Sequence, residues 1–390
     1  MSTKSALTAA WAALHTFQYG FAISAMNGIQ AVVVCSLLSR SVVARRGQRD
    51  ALRASAFAIL LGSTALAVAN SVFLMVLARV VVGLGCGLAT TTVPLVLADL
   101  APPGSKKALG IANQLFIVLG ILVAQTLSFP FGRAGVWRVV PATAAAVALV
   151  QLLGSLLVRL PGDLPSSAPG EEPLLGGAPR SRPEVPLTIT ELLSSRDPEV
   201  TRGLPLVLAT QFFQQTTGPS VVMYFSTAIL SAVIPGSAKA IALAIVIVKV
   251  PITISPAFLI ERVGTRPLLI LPTCFMVGAM LALASGLNSE GGTLAVAGMV
   301  GFVAAFSVGL GPVTWVVLGE VMPPYARPAA SAVGLAVNWS TNFVVGAAFL
   351  PLQAKLGGRD HPGNIFYIFA GSCAAAVLAI RWGYRVYEAR

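Results

Sequence analysis

Charge is what this sequence has least of. Of 390 residues only 10% are Asp, Glu, Lys or Arg, against 56% hydrophobic, and the mean hydropathy is +0.83. Soluble domains carry about 25% charged residues, and no single water-soluble core of this length could hide such an apolar surplus. The composition is that of an all-α polytopic membrane protein. Histidine is almost missing as well. His15 and His361 are the only two, which leaves no cluster for zinc and none for imidazole catalysis. Cys35, Cys86, Cys274 and Cys373 fall inside apolar stretches with no close pair. They read as small buried residues rather than a disulfide framework or a metal knot. No nucleophile stands beside a base and no phosphate-cradling loop occurs, so neither an enzyme nor a cofactor is expected. The net charge of +12 comes from 26 basic and 14 acidic residues. The basic ones sit in short runs between apolar stretches, the pattern of loops that orient helices in a bilayer, and no nucleic-acid partner is expected.

A helix crosses the hydrocarbon layer with roughly 20 apolar residues at about 1.5 Å each. Windows of that kind run over 6–26, 55–69, 72–97, 109–129, 139–158, 204–234, 240–260, 268–287, 294–318, 329–350 and 364–384. The first follows Lys4 and lacks a small-residue cleavage site, so it reads as a spanning helix and not a signal peptide. If every basic cluster faces the cytoplasm, one more crossing is needed between Gln30 and Arg45. Only 13 residues, 31–43, are apolar enough there, and Arg40 lies among them. They reach about 20 Å against a core of about 30 Å. A shortened second helix is therefore expected, one that borrows 27–30, snorkels Arg40, thins the bilayer or fails to span, as in a truncated or mis-spliced chain.

Between Pro161 and Thr201 lies the one long polar segment, rich in Pro, Gly and Ser, which reads as a flexible cytoplasmic linker. A short helix is expected at 187–194 on the Thr188 to Glu191 capping pattern. The chain so divides into an N-terminal bundle at 1–160, a linker at 161–202 and a C-terminal bundle at 203–390. Two six-helix halves around a central loop is an arrangement of secondary transporters, whose substrate site lies near the midplane between the repeats.

The halves carry a weak internal repeat. Ala44 to Arg49 (ARRGQR) corresponds to Glu261 to Arg266 (ERVGTR), and Leu97-Ala-Asp99 through Lys106 corresponds to Leu318-Gly-Glu320 through Arg327. Positive-inside loops explain the basic residues but not the paired Asp99 and Glu320. A cytoplasmic charge clamp across helices accounts for both; its members are Arg79, Asp99, Lys106, Glu261, Arg262, Arg266, Glu320 and Arg327.

Seven motifs in order give the chain a resemblance to the sugar-porter branch of the major facilitator superfamily, the family of facilitative glucose and fungal hexose transporters. They are YGFAISAMNGIQ at 19–30, ARVVVGLGCGL at 78–88, NQLFIVLGILVAQ at 113–125, QFFQQTTG at 211–218, ERVGTRPLL at 261–269, GPVTWVVLGEVMPPYARP at 311–328 and VNWSTNFVVG at 337–346. The resemblance implies the major facilitator fold and a small-molecule sugar as substrate, held by Gln125, Gln214, Gln215, Trp315 and Asn338, with Trp339 and Asn342 nearby. These groups suit the task, since an amide both donates to and accepts from hydroxyls, an indole covers the C–H face of a sugar, and neither strands a charge. Gly311-Pro312 permits a helix break beside Trp315.

Departures from the family pattern refine the expectation. Ala22 stands where proton-coupled members carry an acid, which favours facilitated diffusion over symport. Ser220 replaces an asparagine and shortens one sugar contact. Lys249 stands mid-span where an asparagine is usual, and an ionisable residue at that depth points to function, here a place on the aqueous cavity. Weakened loop motifs keep a second expectation open, a non-transporting sugar sensor or an inactive paralogue or isoform. The multi-pass chain is expected in the plasma or vacuolar membrane with both termini cytoplasmic.

Overall fold

A computed structural model describes residues 11–12, 14–15, 29–100, 106–131, 135–157, 187–231, 234, 236–289, 291–358 and 360–388, with backbone alone at 29–46, 94–95, 98–99, 106–112, 129, 224, 227 and 239. All regular structure among the described residues is helical. The elements are α1 (Ile29–Val68), α2 (Val72–Leu100), α3 (Lys106–Phe131), α4 (Val139–Leu157), α5 (Ile189–Leu193), α6 (Pro198–Thr216), α7 (Pro219–Ser231), α8 (Ala238–Val263), α9 (Thr265–Asn288), α10 (Gly292–Val308), α11 (Leu310–Val321), α12 (Arg327–Leu356) and α13 (Asn364–Glu388). Eight helical stretches among the described residues are long and apolar enough to cross a membrane. Large apolar side chains such as Phe57, Phe73, Phe258, Phe275 and Leu378 point outward from them, as suits helices solvated by acyl chains. Most of the expected first span lies outside the described residues.

The helix α1 holds two spans. Gly47, at φ 80° and ψ 168°, breaks it. A Cβ there would meet nothing within 4 Å, so the glycine serves the left-handed backbone and not a close contact. The second helix therefore runs from Ile29 to the residue before Gly47, longer than the 13 residues expected, and reaches about 27 Å. It takes in Ala44, Arg45 and Arg46, which read as loop from the sequence. It is still shorter than the long spans that follow.

The two expected single spans at 204–234 and 294–318 are each broken. The first divides between α6 and α7 at Thr217-Gly218, and the second between α10 and α11 at Gly309. Gly309 is forced by crowding, since a Cβ would lie 2.8 Å from Pro272 Cβ and 3.0 Å from the Leu268 carbonyl oxygen. The break thus falls two residues before Gly311-Pro312, which instead occupy the first turn of α11. A proline is tolerated there because first-turn N–H groups have no helical acceptor anyway.

Most buried apolar side chains after residue 187 form one core, with Phe302, Phe349, Phe366 and Met276 at its centre. Helices α9 and α10 approach closely inside it. A Cβ at Gly286 would collide with the backbone of Ala295, and one at Gly298 with the backbone of Leu283. The two halves meet where α1 packs on α12 and α3 packs on α8 and α11. Ile59, Cys86, Ile117, Ala148, Leu335 and Trp339 make a buried apolar cluster across that seam.

The short helix expected from the capping box is present. The Thr188 amide donates to Glu191 Oε2 (2.6 Å), and the Glu191 amide donates to Thr188 Oγ1 (3.1 Å). Leu192 is buried in the large core. The Leu187 amide donates to the Tyr325 carbonyl (3.1 Å), and the Tyr325 hydroxyl donates to Asp197 Oδ2. Asp197 caps α6 by accepting from the Glu199 amide at 2.9 Å. The α6 helix therefore begins inside the segment expected as linker. The Tyr325 hydroxyl first, and the Glu199 amide second, hold the Asp197 carboxyl below its ordinary value.

Two outcomes are expected. Gly298→Val should lower the unfolding temperature in detergent by an overpacking cost of about 1–3 kcal/mol, while Gly301→Ala, whose Cβ would sit 3.6 Å from Ala279 Cβ, should not. Because the folded carboxyl of Asp197 is depressed, its contribution is complete above the unfolded value of about 3.9 and is lost only as pH falls through the lower folded value. Hydrogen-exchange protection of 187–194 should hold from pH 8 to pH 5, and Tyr325→Phe should reduce it across that range.

Candidate substrate site

The site is built where three helices bring short polar side chains to the two helix breaks. On α6, Gln211, Gln214 and Gln215 stand at spacings of three and four, which puts them on one face. Immediately beyond, Gly218 takes φ 95° against the Phe369 ring, 3.1 Å from where a Cβ would be, and Pro219 restarts the helix with Ser220 in its first turn. On α12, Asn338 and Asn342 are one turn apart. Gln211, Gln214, Gln215, Ser220, Asn338 and Asn342 are all buried.

Buried amides must be satisfied, and nearly every group here is accounted for. Gln214 Nε2 donates to the carbonyls of Leu310 and Gly311, both at 2.8 Å, tying α6 to the first turn of α11. Asn338 Nδ2 donates to Gln214 Oε1 (2.7 Å) and to the Gln211 carbonyl (3.0 Å). Gln215 Nε2 donates to Asn338 Oδ1 (3.0 Å). Gln215 Oε1 in turn accepts from Ser220 Oγ (2.9 Å) and Asn342 Nδ2 (2.8 Å), and Asn342 Nδ2 also donates to Ser220 Oγ. Two acceptors remain without a described partner, Asn342 Oδ1 and Gln211 Oε1. The network is uncharged throughout and holds two buried oxygens without a described donor.

Trp315, half-buried on α11, packs against the seam cluster. Its Nε1 donates to Gln114 Oε1 on α3 at 3.2 Å, a hydrogen bond between the halves. Gln114 is a residue that the motif reading passed over in favour of Gln125. Both lie in NQLFIVLGILVAQ, but eleven residues along a helix is about 16 Å. The structure brings Gln114 to Trp315, and no described hydrogen bond joins Gln125 to the amide cluster. Gln211 was likewise inside a quoted motif and not singled out.

Lys249 is buried on α8. Its Nζ lies 3.9 Å from Met223 Sδ and 5.8 Å from the Phe306 ring centroid. It is one ring removed from the amides, because the same Phe306 packs on Gly311. Ala22 lies outside the described residues. A recess lined by Phe225, Ile229, Leu287, Phe349, Gln353 and Pro362 is separate from the amides, and its walls are too apolar to coordinate a polyol.

The charge clamp takes a form different from the expected one. Arg266 pairs with Glu388 at 2.6 Å, at the end of α13, and lies over the Tyr384 ring. No ion pair joins Glu261, Arg262 or Glu320 to a described residue, and all three are exposed. Arg327 Nε donates instead to the Met322 carbonyl at 2.9 Å, while Arg79 Nε is buried without a described partner. The side chains of Asp99 and Lys106 lie outside the described residues. In the N-terminal half the expected Ala44 to Arg49 motif acts through Arg49, which with Arg53 donates to the Ser155 carbonyl (2.8 and 3.3 Å) in the last turn of α4. Cations there satisfy a helix end and its dipole, and Arg53 also pairs with Asp50 on its own helix at 3.2 Å.

A family model described as "Sugar (and other) transporter" matches residues 2–160 and 179–386. Facilitated glucose transporter member 4 of solute carrier family 2 from Mus musculus is 29% identical over 401 residues, covering 94% of this chain and 75% of the mouse protein. Plastidic glucose transporter 4 from Arabidopsis thaliana is 30% identical over 399 residues, covering 90% and 69%. Among solved structures, the inward-open xylose transporter XylE from E. coli superposes with a TM-score of 0.74 at 20% identity, covering 97% of this chain and 95% of that one. That likeness is one of fold, two six-helix bundles of the major facilitator type.

Asn338→Leu would orphan both Gln214 Oε1 and Gln215 Nε2, at about 1–3 kcal/mol for each buried group. It should lower the thermal unfolding midpoint in detergent by several degrees, whereas Gln125→Leu, outside the network, should leave it unchanged.

Proposed function

The chain belongs to the sugar (and other) transporter family, in the sugar-porter branch of the major facilitator superfamily, and from that premise we propose that it carries a hexose across its membrane by facilitated diffusion. As a transporter it is not an enzyme. The observation that carries the hexose reading is the neutral amide network at the two helix breaks, with Asn342 Oδ1 and Gln211 Oε1 open. A hexose ring offers several hydroxyls, each able to donate to such an oxygen and accept from an amide N–H, without any charge to bury. Gln214, Gln215, Ser220, Asn338 and Asn342 contact the sugar, and the Trp315 indole covers one face of its ring. Gln114, bonded to Trp315, belongs with them, beside Gln125.

Alternating access follows from the way the halves touch. The bundles at 1–160 and 203–390 meet along an apolar seam crossed by the Trp315–Gln114 hydrogen bond. A sugar hydroxyl competes for both partners of that bond, so ligand binding and the opening of the halves are coupled. Ala22 offers no proton-coupling carboxylate in the first span, which supports the sugar gradient as the driving force. The linker at 161–202 and both termini face the cytoplasm, in the plasma or vacuolar membrane, following the basic clusters.

Uptake of radiolabelled hexose into a transporter-null cell tests the reading. The wild-type chain should show saturable uptake that a protonophore leaves unchanged, and Gln214→Ala or Trp315→Ala should reduce it at least tenfold. No uptake by correctly inserted protein would reject a carrier. Sugar binding without uptake would assign the chain as a sensor, the reading its short second helix favours.

A further inference from the structure

We propose that the substrate site accepts sugars bearing a carboxylate, hexuronates above all, and that Lys249 is the residue that selects them. The proposal rests on the carrier reading above and concerns which sugar that carrier prefers. Lys249 is 5% exposed, in the middle of the apolar span 240–263. An ammonium has three protons to place, and here the neighbours are the Met223 thioether at 3.9 Å and the face of Phe306 at 5.8 Å. Both are weak partners for a full charge. No carboxylate lies within 4 Å of Nζ among the described residues. The nearest acid on its own helix, Glu261, is twelve residues away, about 18 Å.

The position of this cation relative to the amides sets the ligand. Met223 stands one turn beyond Ser220 on α7, roughly 4.5 Å along the axis. Ser220 belongs to the amide network, and Phe306 packs on Gly311, whose carbonyl accepts from Gln214. A six-carbon sugar whose ring hydroxyls engage Asn342 and Gln215 would carry a terminal carboxylate toward Nζ, displacing the soft contact with Met223.

Energetics favour that occupant over a neutral one. While the cleft is open, water solvates the ammonium. When the halves close over a neutral sugar, the charge is stripped of water with nothing in return, and an uncompensated buried charge is strongly destabilising. A carboxylate provides the missing counter-charge and a charge-assisted hydrogen bond. One lysine balances one negative charge. A phosphate ester brings about 1.5 to 2 at neutral pH and would leave excess negative charge in a site with no second described cation. Discrimination therefore runs against both neutral sugars and sugar phosphates.

The test uses the full chain in proteoliposomes with labelled glucose and labelled glucuronate. Wild-type protein should take up glucuronate faster than glucose, with glucuronate uptake accelerated by an inside-positive potassium diffusion potential because one negative charge moves per turnover. Unlabelled glucuronate should compete at least tenfold better than its methyl ester, a comparison that needs no variant to fold. Lys249→Gln should lower the ratio of glucuronate to glucose uptake at least tenfold and abolish the potential dependence of what sugar uptake remains. Glucose uptake without glucuronate uptake, equal competition by acid and ester, or an unaltered uronate-to-glucose ratio in Lys249→Gln would overturn the proposal and leave the carrier standing. Uptake of neither sugar would overturn both.

Discussion

Backbone groups freed at a helix break inside a membrane have no water to turn to, and the way this chain answers that constraint organises the whole C-terminal half. The carbonyls of Leu310 and Gly311, at the start of α11, accept from Gln214 on the neighbouring helix. The glutamine that stabilises the break is thereby fixed in place, and it in turn fixes Asn338 and, through Asn338, Gln215. A structural necessity has produced a rigid, neutral, hydrogen-bonding surface. Such preorganisation is what a polyol site needs, since amides already held in position lose little freedom when the ligand arrives.

Among the described residues, the C-terminal half has one continuous core. Its core runs unbroken from Leu192 to Tyr384, with aromatic side chains of α7, α12 and α13 stacked along it. In the N-terminal half the buried apolar residues fall into smaller groups. Most of the amide network belongs to the first body. The second contributes Gln114, one side of the seam, and the arginine contacts that close the end of α4. A site anchored on one rigid bundle and closed by the other suits a carrier whose halves rock about the substrate.

Much of this was legible in the sequence, for reasons that differ by element. Span positions followed from runs of apolar residues, because lipid imposes length and composition together. The short helix at 189–193 followed from a local reciprocal cap, and such a cap needs nothing from the rest of the fold. Gln214, Gln215, Asn338 and Asn342 were implied by the resemblance of their motifs to those of sugar porters. What failed to read was tertiary. The second span was expected to end at 43 because arginines follow, yet the helix continues through Ala44, Arg45 and Arg46 to the break at Gly47. The break at Gly309 depends on how closely Pro272 of another helix approaches. Gln114 and Gln125 share one face of α3, about three turns apart, so only knowing the depth at which that face meets Trp315 separates them. The partner of Arg266 lies 122 residues further on, at the tip of the last helix, a pairing no local motif encodes.

The hydrogen bond from Trp315 to Gln114 has a thermodynamic corollary. A single neutral contact of this kind contributes on the order of 1 kcal/mol net, small beside the several kcal/mol that a spread of salt bridges across the seam would add. The polar link across the seam is therefore light, and the buried apolar cluster around Ile59, Ile117, Leu335 and Trp339 makes up the rest of the contact there. Apolar contact is non-directional, so sliding of the halves against each other is opposed at this point by one bond alone.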